Sequence, residues 1–242
     1  MEIEYYNSGN TIDDYNKITD VDYDICFQVT PVIHYFQKAL GEENARFLSV
    51  GCGFGHFEDL LLPKLKHNDK EINLDILDFS HKSLEVFEKN CKKPYVVKEK
   101  FQMKMQELQT ENKYDLIWFF NSLYLLGEKE LRELIPKYKT LLKPNGKILI
   151  FQKANESFVI KSSYATGAPY CSTDDIKKIL EELKIEHRAY KVSSIHVPGA
   201  LLKQYLKHMC FGKVVPEELV QKYYNQHLDL HVFEQLMELV IY

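Results

Sequence analysis

The run Phe47-Leu48-Ser49-Val50-Gly51-Cys52-Gly53-Phe54-Gly55 passes from a short apolar stretch into a turn with glycine at alternate positions, after which Phe57, Leu60, Leu61 and Leu65 recur at helical spacing. This reads as strand, glycine turn, helix, with the strand beginning at Ala45. Pro63 falls inside the helix, where it removes a hydrogen bond and crowds the carbonyl of Asp59, so the helix should kink or tighten there. Ile72, Leu74, Ile76 and Leu77 then make a second strand that closes at Asp78, and Ser80 caps a helix that buries Leu84 and Phe87. A shorter third strand is expected at Tyr95 to Lys98. Tyr114 to Phe120 is an apolar run suited to a central parallel strand covered on both faces, and it leads directly into Asn121-Ser122.

Farther along, Leu131, Leu134, Ile135, Tyr138 and Leu141 mark one face of a helix from Glu128 to Leu142, and Pro144-Asn145-Gly146 turns the chain into a strand from Lys147 to Gln152. Ser172-Thr173-Asp174-Asp175 caps a helix reaching Leu183, a strand follows near His187 to His196, and Val232 to Tyr242 makes a closing strand. Upstream, Thr30-Pro31 reads as an N-cap followed by proline at the first helical position, with the helix running to about Leu40. Strands alternating with helices predict an α/β fold: a Rossmann-like, seven-stranded, mostly parallel sheet flanked by helices, its ligand at the carboxyl ends of the strands. No linker divides the chain, so residues 1–242 are read as one domain. Within it, residues 199–228 form a helical insertion before the last strand, and the polar, tyrosine-rich residues 1–29 form a lid over the site.

A hydrophobic fraction of 45% beside 27% charged residues is the profile of a globular chain rather than a disordered one. No apolar run approaches a membrane span and no basic-then-apolar leader follows Met1, which leads to the expectation of a cytoplasmic protein with no membrane partner. Five scattered cysteines without a C-x-x-C pair suggest reduced thiols, and no metal is expected. The net charge of −4 argues against nucleic acid as a partner. Lys89, Lys92, Lys93, Lys98, Lys100 and Lys104 do crowd together, but Glu88 and Glu99 interrupt them, and the cluster reads as a solvated face.

Chemistry enters with the glycines. They let a ligand approach the backbone without a Cβ in the way, and Asp78 ends the next strand one βα unit later, where a carboxylate can accept ribose hydroxyls. The turn alone is equally a sharp connection with no ligand; the acidic strand end shifts the balance. A dinucleotide enzyme would use G-x-G-x-x-G, whereas G-x-G-x-G suits a nucleoside cofactor without a pyrophosphate.

With Phe47 to Gly55, Asp78, Tyr114-Asp115-Leu116-Ile117 and Leu141-Leu142-Lys143-Pro144-Asn145-Gly146-Lys147 in hand, the chain resembles class I S-adenosylmethionine-dependent methyltransferases over nearly its whole length. It is similar in particular to histamine N-methyltransferases, through Ser49 where most class I members carry an acidic residue, through Leu123-Tyr124, and through Tyr170 to Asp175. The resemblance implies S-adenosyl-L-methionine as cofactor and S-adenosyl-L-homocysteine as product. Gly51, Cys52, Gly53, Asp78, Phe79, Ser83 and Phe120 would then line the cofactor site, Ser83 standing where the family has a glutamine. It also implies a small-molecule substrate held by Tyr23, Phe27, Asn121, Tyr124 and Glu234. Asn121 stands where the family has a glutamine, and Tyr23 where it has a carboxylate that neighbouring Asp22 or Asp24 would replace. Glu234 and Gln235 fall beside a family asparagine.

The expected reaction is methyl transfer to an amine or imidazole nitrogen by a monomer with no dedicated catalytic residue, since an in-line displacement asks chiefly for alignment and exclusion of water. Tyr5, Tyr6, Tyr15, Tyr23, Phe27 and Tyr124 are candidate aromatic walls. The alternatives are methylation of oxygen or a carboxylate on a small acid, and a catalytically silent binding protein of the same fold.

Overall fold

A computed structural model describes residue 23 and residues 26–66, 71–92, 94–124, 126–167, 170–196, 215–226 and 233–242. The helices are α1 (Val32–Leu40), α2 (His56–Leu61), α3 (His81–Asn90), α4 (Glu128–Lys139), α5 (Phe158–Thr166), α6 (Thr173–Glu182) and α7 (Glu217–Gln226). The strands are β1 (Arg46–Val50), β2 (Ile72–Asp78), β3 (Tyr95–Gln102), β4 (Tyr114–Phe120), β5 (Leu142–Lys153), β6 (Arg188–His196) and β7 (Phe233–Ile241). They form one seven-stranded sheet in the order β3-β2-β1-β4-β5-β7-β6. The pairs β1–β2, β2–β3, β1–β4 and β4–β5 are parallel, whereas β7 runs antiparallel to both β5 and β6. This is the mostly parallel, Rossmann-like sheet that the alternation of elements predicts.

Period-two alternation sends the central strands' side chains to two cores. Phe47, Leu116, Trp118, Phe120, Leu149 and Phe151 meet Phe36, Phe57, Leu61, Leu84 and Phe87 from α1, α2 and α3 on one face. Leu48, Val50, Ile117, Phe119, Ile148 and Ile150 meet Leu131, Leu134, Ile135, Ile176 and Ile179 from α4 and α6 on the other. Burial on both faces explains why β4 reads as an unbroken apolar run. The chain builds outward from β1 to β3 and then returns to β4 beside β1, so the strand order reverses there and opens a crevice at the carboxyl ends.

Several local expectations need correction. Pro31, not Thr30, takes the cap position of α1, although the Thr30 hydroxyl still accepts the Val32 N–H at 3.4 Å; the Thr30 N–H (3.1 Å) and hydroxyl (2.5 Å) both donate to Cys26 O, closing the helical residues 26–29. β3 runs on to Gln102, because at the sheet edge its exposed Lys98 and Lys100 point into water without breaking the ladder. α4 stops at Lys139. Pro144-Asn145-Gly146 is not a turn ahead of β5 but an irregularity inside it, with Asn145 at φ 66° and the register slipping between Tyr114/Leu142 and Leu116/Lys147. The serine-rich α5 had no counterpart in the sequence reading. Pro63 does tighten the chain, ending α2 in a single 3-10 turn over Leu62–Lys64.

Of the helical insertion, α7 lies within the described residues; most of 199–216 and 227–228, like most of the lid, lies outside them. Among the described residues no helix is long and apolar enough to cross a membrane. Lys89, Lys92, Lys98, Lys100 and Lys104 are exposed, and Lys100 pairs with Glu88 at 2.6 Å.

Toward the amino-terminal ends of the strands a polar clamp joins β1, β2 and β4. Asp75 accepts two bonds from the Arg46 guanidinium (2.9 and 3.0 Å), one from the Tyr114 hydroxyl (2.8 Å) and a longer one from Asn112 (3.4 Å).

Candidate functional site

At the opposite ends of the same strands, the glycine turn is held by backbone. Gly51 and Cys52 N–H both donate to Leu77 O at the end of β2 (2.8 and 3.1 Å), and the Ser122 hydroxyl donates to Val50 O (2.8 Å). Gly51 is needed for this convergence: its φ is +66°, and a Cβ there would sit 2.4 Å from Ser122 Cβ. Gly53, also left-handed at φ +53°, donates its N–H to Asp78 Oδ2 at 3.0 Å, and a Cβ on it would meet nothing within 4 Å. Its backbone therefore borders open space.

Asp78 is buried, and its Oδ1 accepts the Ser80 N–H at 2.8 Å. Burial raises its pKa, while backbone N–H groups of Ser80, Gly53 and Phe79 pull it back down. An ionised carboxylate has about four acceptor positions, so these bonds leave room for a hydroxyl. A nucleoside ribose fits this carboxylate beside the open glycine backbone. Phe79 is half-buried next to it, and Ser83 is buried in the first turn of α3, its N–H on Ser80 Oγ at 3.3 Å. The Cys52 thiol is pushed well above its ordinary pKa by burial and then by the charges of Asp78 and Glu58, which suits a lining group rather than a nucleophile.

Beyond the turn, β4 ends in an aromatic corner. Phe120 stacks on Phe57 at 3.8 Å, and the buried Tyr23 stands edge-on to both rings and tilted against Phe151 (5.9 Å) and His56 (6.1 Å). Asn121 adopts φ +49°, a left-handed conformation that asparagine tolerates better than most residues with a side chain. Its N–H donates to Phe151 O (2.8 Å) and its Nδ2 to the Tyr23 hydroxyl (3.3 Å). Asn121 is 8% exposed, and its Oδ1 has no hydrogen-bond partner.

Tyr23, Phe120 and Asn121 thus come together. Phe27 packs behind Phe57 at 5.5 Å, under the Lys64 ammonium. Tyr124 stacks instead on Tyr170, at 5.3 Å. Glu234 lies in β7 opposite Ile195, its side chain outside what is described, as are Asp22, Asp24, Tyr5, Tyr6 and Tyr15.

Glu58 and Lys153 are among the buried charged side chains that the sequence reading missed. Glu58, in α2, accepts the Ser49 hydroxyl and the Trp118 indole N–H; Leu61 and Leu65, three and seven residues on, already placed it on the apolar stripe. Lys153 is 1% exposed at the carboxyl end of β5, two residues beyond Phe151 and on its face of the sheet.

Residues 47–146 match the family model described as methyltransferase domain. In structure the chain is similar to an S-adenosylmethionine-dependent methyltransferase from Leishmania major, with TM-score 0.56, 16% identity, and 100% of this chain and 81% of that one covered. It is similar also to the plantazolicin methyltransferase BpumL solved with S-adenosylhomocysteine (TM-score 0.56, 13% identity, covering 99% and 93%). A third likeness is the N-methyltransferase NodS of Bradyrhizobium japonicum WM9, also with S-adenosylhomocysteine (TM-score 0.53, 15% identity, covering 86% and 83%). No curated protein matches the sequence. The fold is the one these methyltransferases share.

Proposed function

We propose that the protein is an S-adenosylmethionine-dependent methyltransferase that methylates a nitrogen of a small amine or imidazole. One observation carries the choice of acceptor: the buried, unpartnered Oδ1 of Asn121, held in left-handed backbone where β4 ends beside the glycine turn. A buried acceptor left unsatisfied by the protein suits a ligand N–H. Gly51, Cys52, Gly53, Asp78, Phe79 and Ser83 hold the cofactor, whose sulfonium supplies an activated methyl group.

Asn121 Oδ1 accepts the substrate N–H and turns the nitrogen lone pair toward the cofactor side of the crevice. Tyr23, Phe57, Phe120 and Phe151 exclude water and disfavour the charged form of the amine, so the nitrogen arrives as a nucleophile. The cofactor held by Gly51 to Gly53 and Asp78 would supply the methyl group for an in-line displacement, and the methylated nitrogen would shed its surplus proton to solvent. Alignment supplies the rate without a dedicated base. Residues 1–29 serve as the lid, a role supported by the Tyr23–Asn121 bond; cofactor plus amine should slow protease cleavage ahead of Thr30.

A second reading is transfer to oxygen of a small acid, for which Lys153, buried beyond Phe151 on the same face, would have to exchange its present partner for the acid's carboxylate. Incubation with S-adenosylmethionine and a panel of amines, imidazoles and small acids, followed by mass spectrometry of released S-adenosylhomocysteine, separates the two. Release with amines or imidazoles is expected, and Asn121→Ala should then lower kcat/KM by about tenfold or more while cofactor affinity holds. Turnover of acids alone would replace the nitrogen reading with the second.

A further inference from the structure

Glu58 is the third residue of α2, directly after the glycine turn, and is 3% exposed. Its Oε1 takes both bonds mentioned above, from Ser49 on β1 (2.7 Å) and from Trp118 on β4 (2.9 Å). They tie the start of α2 to the two strands between which the sheet order reverses. Oε2 is buried and has no hydrogen-bond partner.

Glu58 also lines a cavity about the size of one water molecule, together with Phe54, Gly55, Phe87, Cys91 and Tyr95. The Tyr95 hydroxyl, from β3, is likewise buried without a partner. Two orphaned polar groups from different elements therefore border one small, partly open pocket beside the glycine turn, which Asp59 and Asn90 also line.

We propose that Glu58 is a positioning residue for the cofactor turn, fixing the pose of Gly51 to Gly55 through Ser49 and Trp118 and through a hydrogen-bonded link across this cavity to Tyr95. The inference rests on the reading of that turn as the cofactor loop. A side chain kept only for packing would be apolar or an amide, because a carboxylate here is costly. The groups that face it are Asp59 on α2, a like charge, the thiols of Cys52 and Cys91, and the Tyr95 phenol. Burial pushes its pKa up to about 7, opposed by the bonds from Ser49 and Trp118.

Ionisation strengthens the two bonds that Oε1 accepts, because charge-assisted hydrogen bonds are shorter and stronger, so the turn is held more firmly above neutrality. The same ionisation is unfavourable for the fold as a whole. Cofactor affinity and global stability then move in opposite directions with pH, whereas a merely structural role would move them together.

The test titrates S-adenosylhomocysteine by calorimetry into the full-length wild type, Glu58→Gln and Tyr95→Phe across neutral pH, with thermal melts in the same buffers. Hydrogen exchange of the Ser49 to Gly55 segment is followed without ligand and corrected for intrinsic rates. Wild-type affinity should rise about tenfold from pH 6 to pH 8 while turn protection increases. Glu58→Gln should melt cooperatively with both profiles flat, and Tyr95→Phe should shift their midpoint. If Glu58→Gln does not fold, Ser49→Ala keeps the carboxylate, removes one donor, and should loosen the turn. Wild-type affinity and turn protection at every pH in Glu58→Gln, or in Ser49→Ala where it replaces it, would overturn the proposal. A folded wild type that takes no S-adenosylhomocysteine would defeat the cofactor reading instead, and the exchange profiles would still decide whether Glu58 sets the turn.

Discussion

Asp75 on β2 and Glu58 on α2 are both carboxylates almost wholly withdrawn from water, yet Asp75 is surrounded by donors and Glu58 is not. Asp75, 0% exposed, receives the Arg46 fork, the Tyr114 hydroxyl and Asn112. Glu58 receives two neutral donors on one oxygen and none on the other. The satisfied group sits toward the amino-terminal ends of the strands, where the fold is only being held. The under-satisfied groups Glu58 and Asn121 sit around the glycine turn and the end of β4, where a ligand is expected. Polar networks completed by the protein itself rigidify a scaffold, and an incomplete one beside the glycine turn leaves a position that water or another molecule can fill.

Breaking the satisfied side should have the largest effect. Asp75→Ala leaves Arg46 and the Tyr114 hydroxyl without their acceptor and should cost about 3 kcal/mol in urea unfolding, discounted for the partial exposure of Arg46. Cofactor affinity per folded molecule should stay within about twofold, since the sites are well separated.

The under-satisfied side responds to pH instead. With its folded pKa raised to about 7 from 4.5, Glu58 binds its proton more tightly in the folded than in the unfolded chain. Its contribution is therefore greatest below about pH 4.5, declines as pH rises toward 7, and is flat above. Against Glu58→Gln, which cannot titrate, wild type should lose roughly 2–3 kcal/mol across that window, read by denaturant melts at each pH. Identical pH profiles in the two proteins would remove the distinction from Asp75. The smallest change should come from Asp78→Ala, which should weaken S-adenosylhomocysteine binding by roughly 10- to 100-fold and, by leaving the Gly53 and Ser80 N–H groups without their acceptor, cost about 1–2 kcal/mol of stability.

The parts of this arrangement that lie close together in sequence were readable without coordinates. The glycine turn and the acidic end of β2 follow from local apolar runs and their punctuation, and so do β1, β2 and β4. β3 was cut short because lysines on an edge strand look like a loop, and Pro144-Asn145-Gly146 looked like a turn because a bulge uses the same residues. Ser49, Glu58 and Trp118 form one hydrogen-bonded group from residues 9 and 60 positions apart, a relation that the sheet order creates and no local pattern encodes. Tyr124 illustrates the converse: it follows Asn121 closely in sequence, but packing stacks it on Tyr170.

Everything else depends on whether the turn at Gly51 to Gly55, together with Asp78, takes a nucleoside cofactor. Calorimetric titration of S-adenosylmethionine into the full-length wild type and into Asp78→Ala tests this most directly, with melts confirming that both proteins are folded. One saturable site in the wild type, weakened at least about tenfold by the substitution, is the predicted result. A cooperatively folded wild type that takes up no S-adenosylmethionine, or equal binding by both proteins, would contradict the assignment of this site.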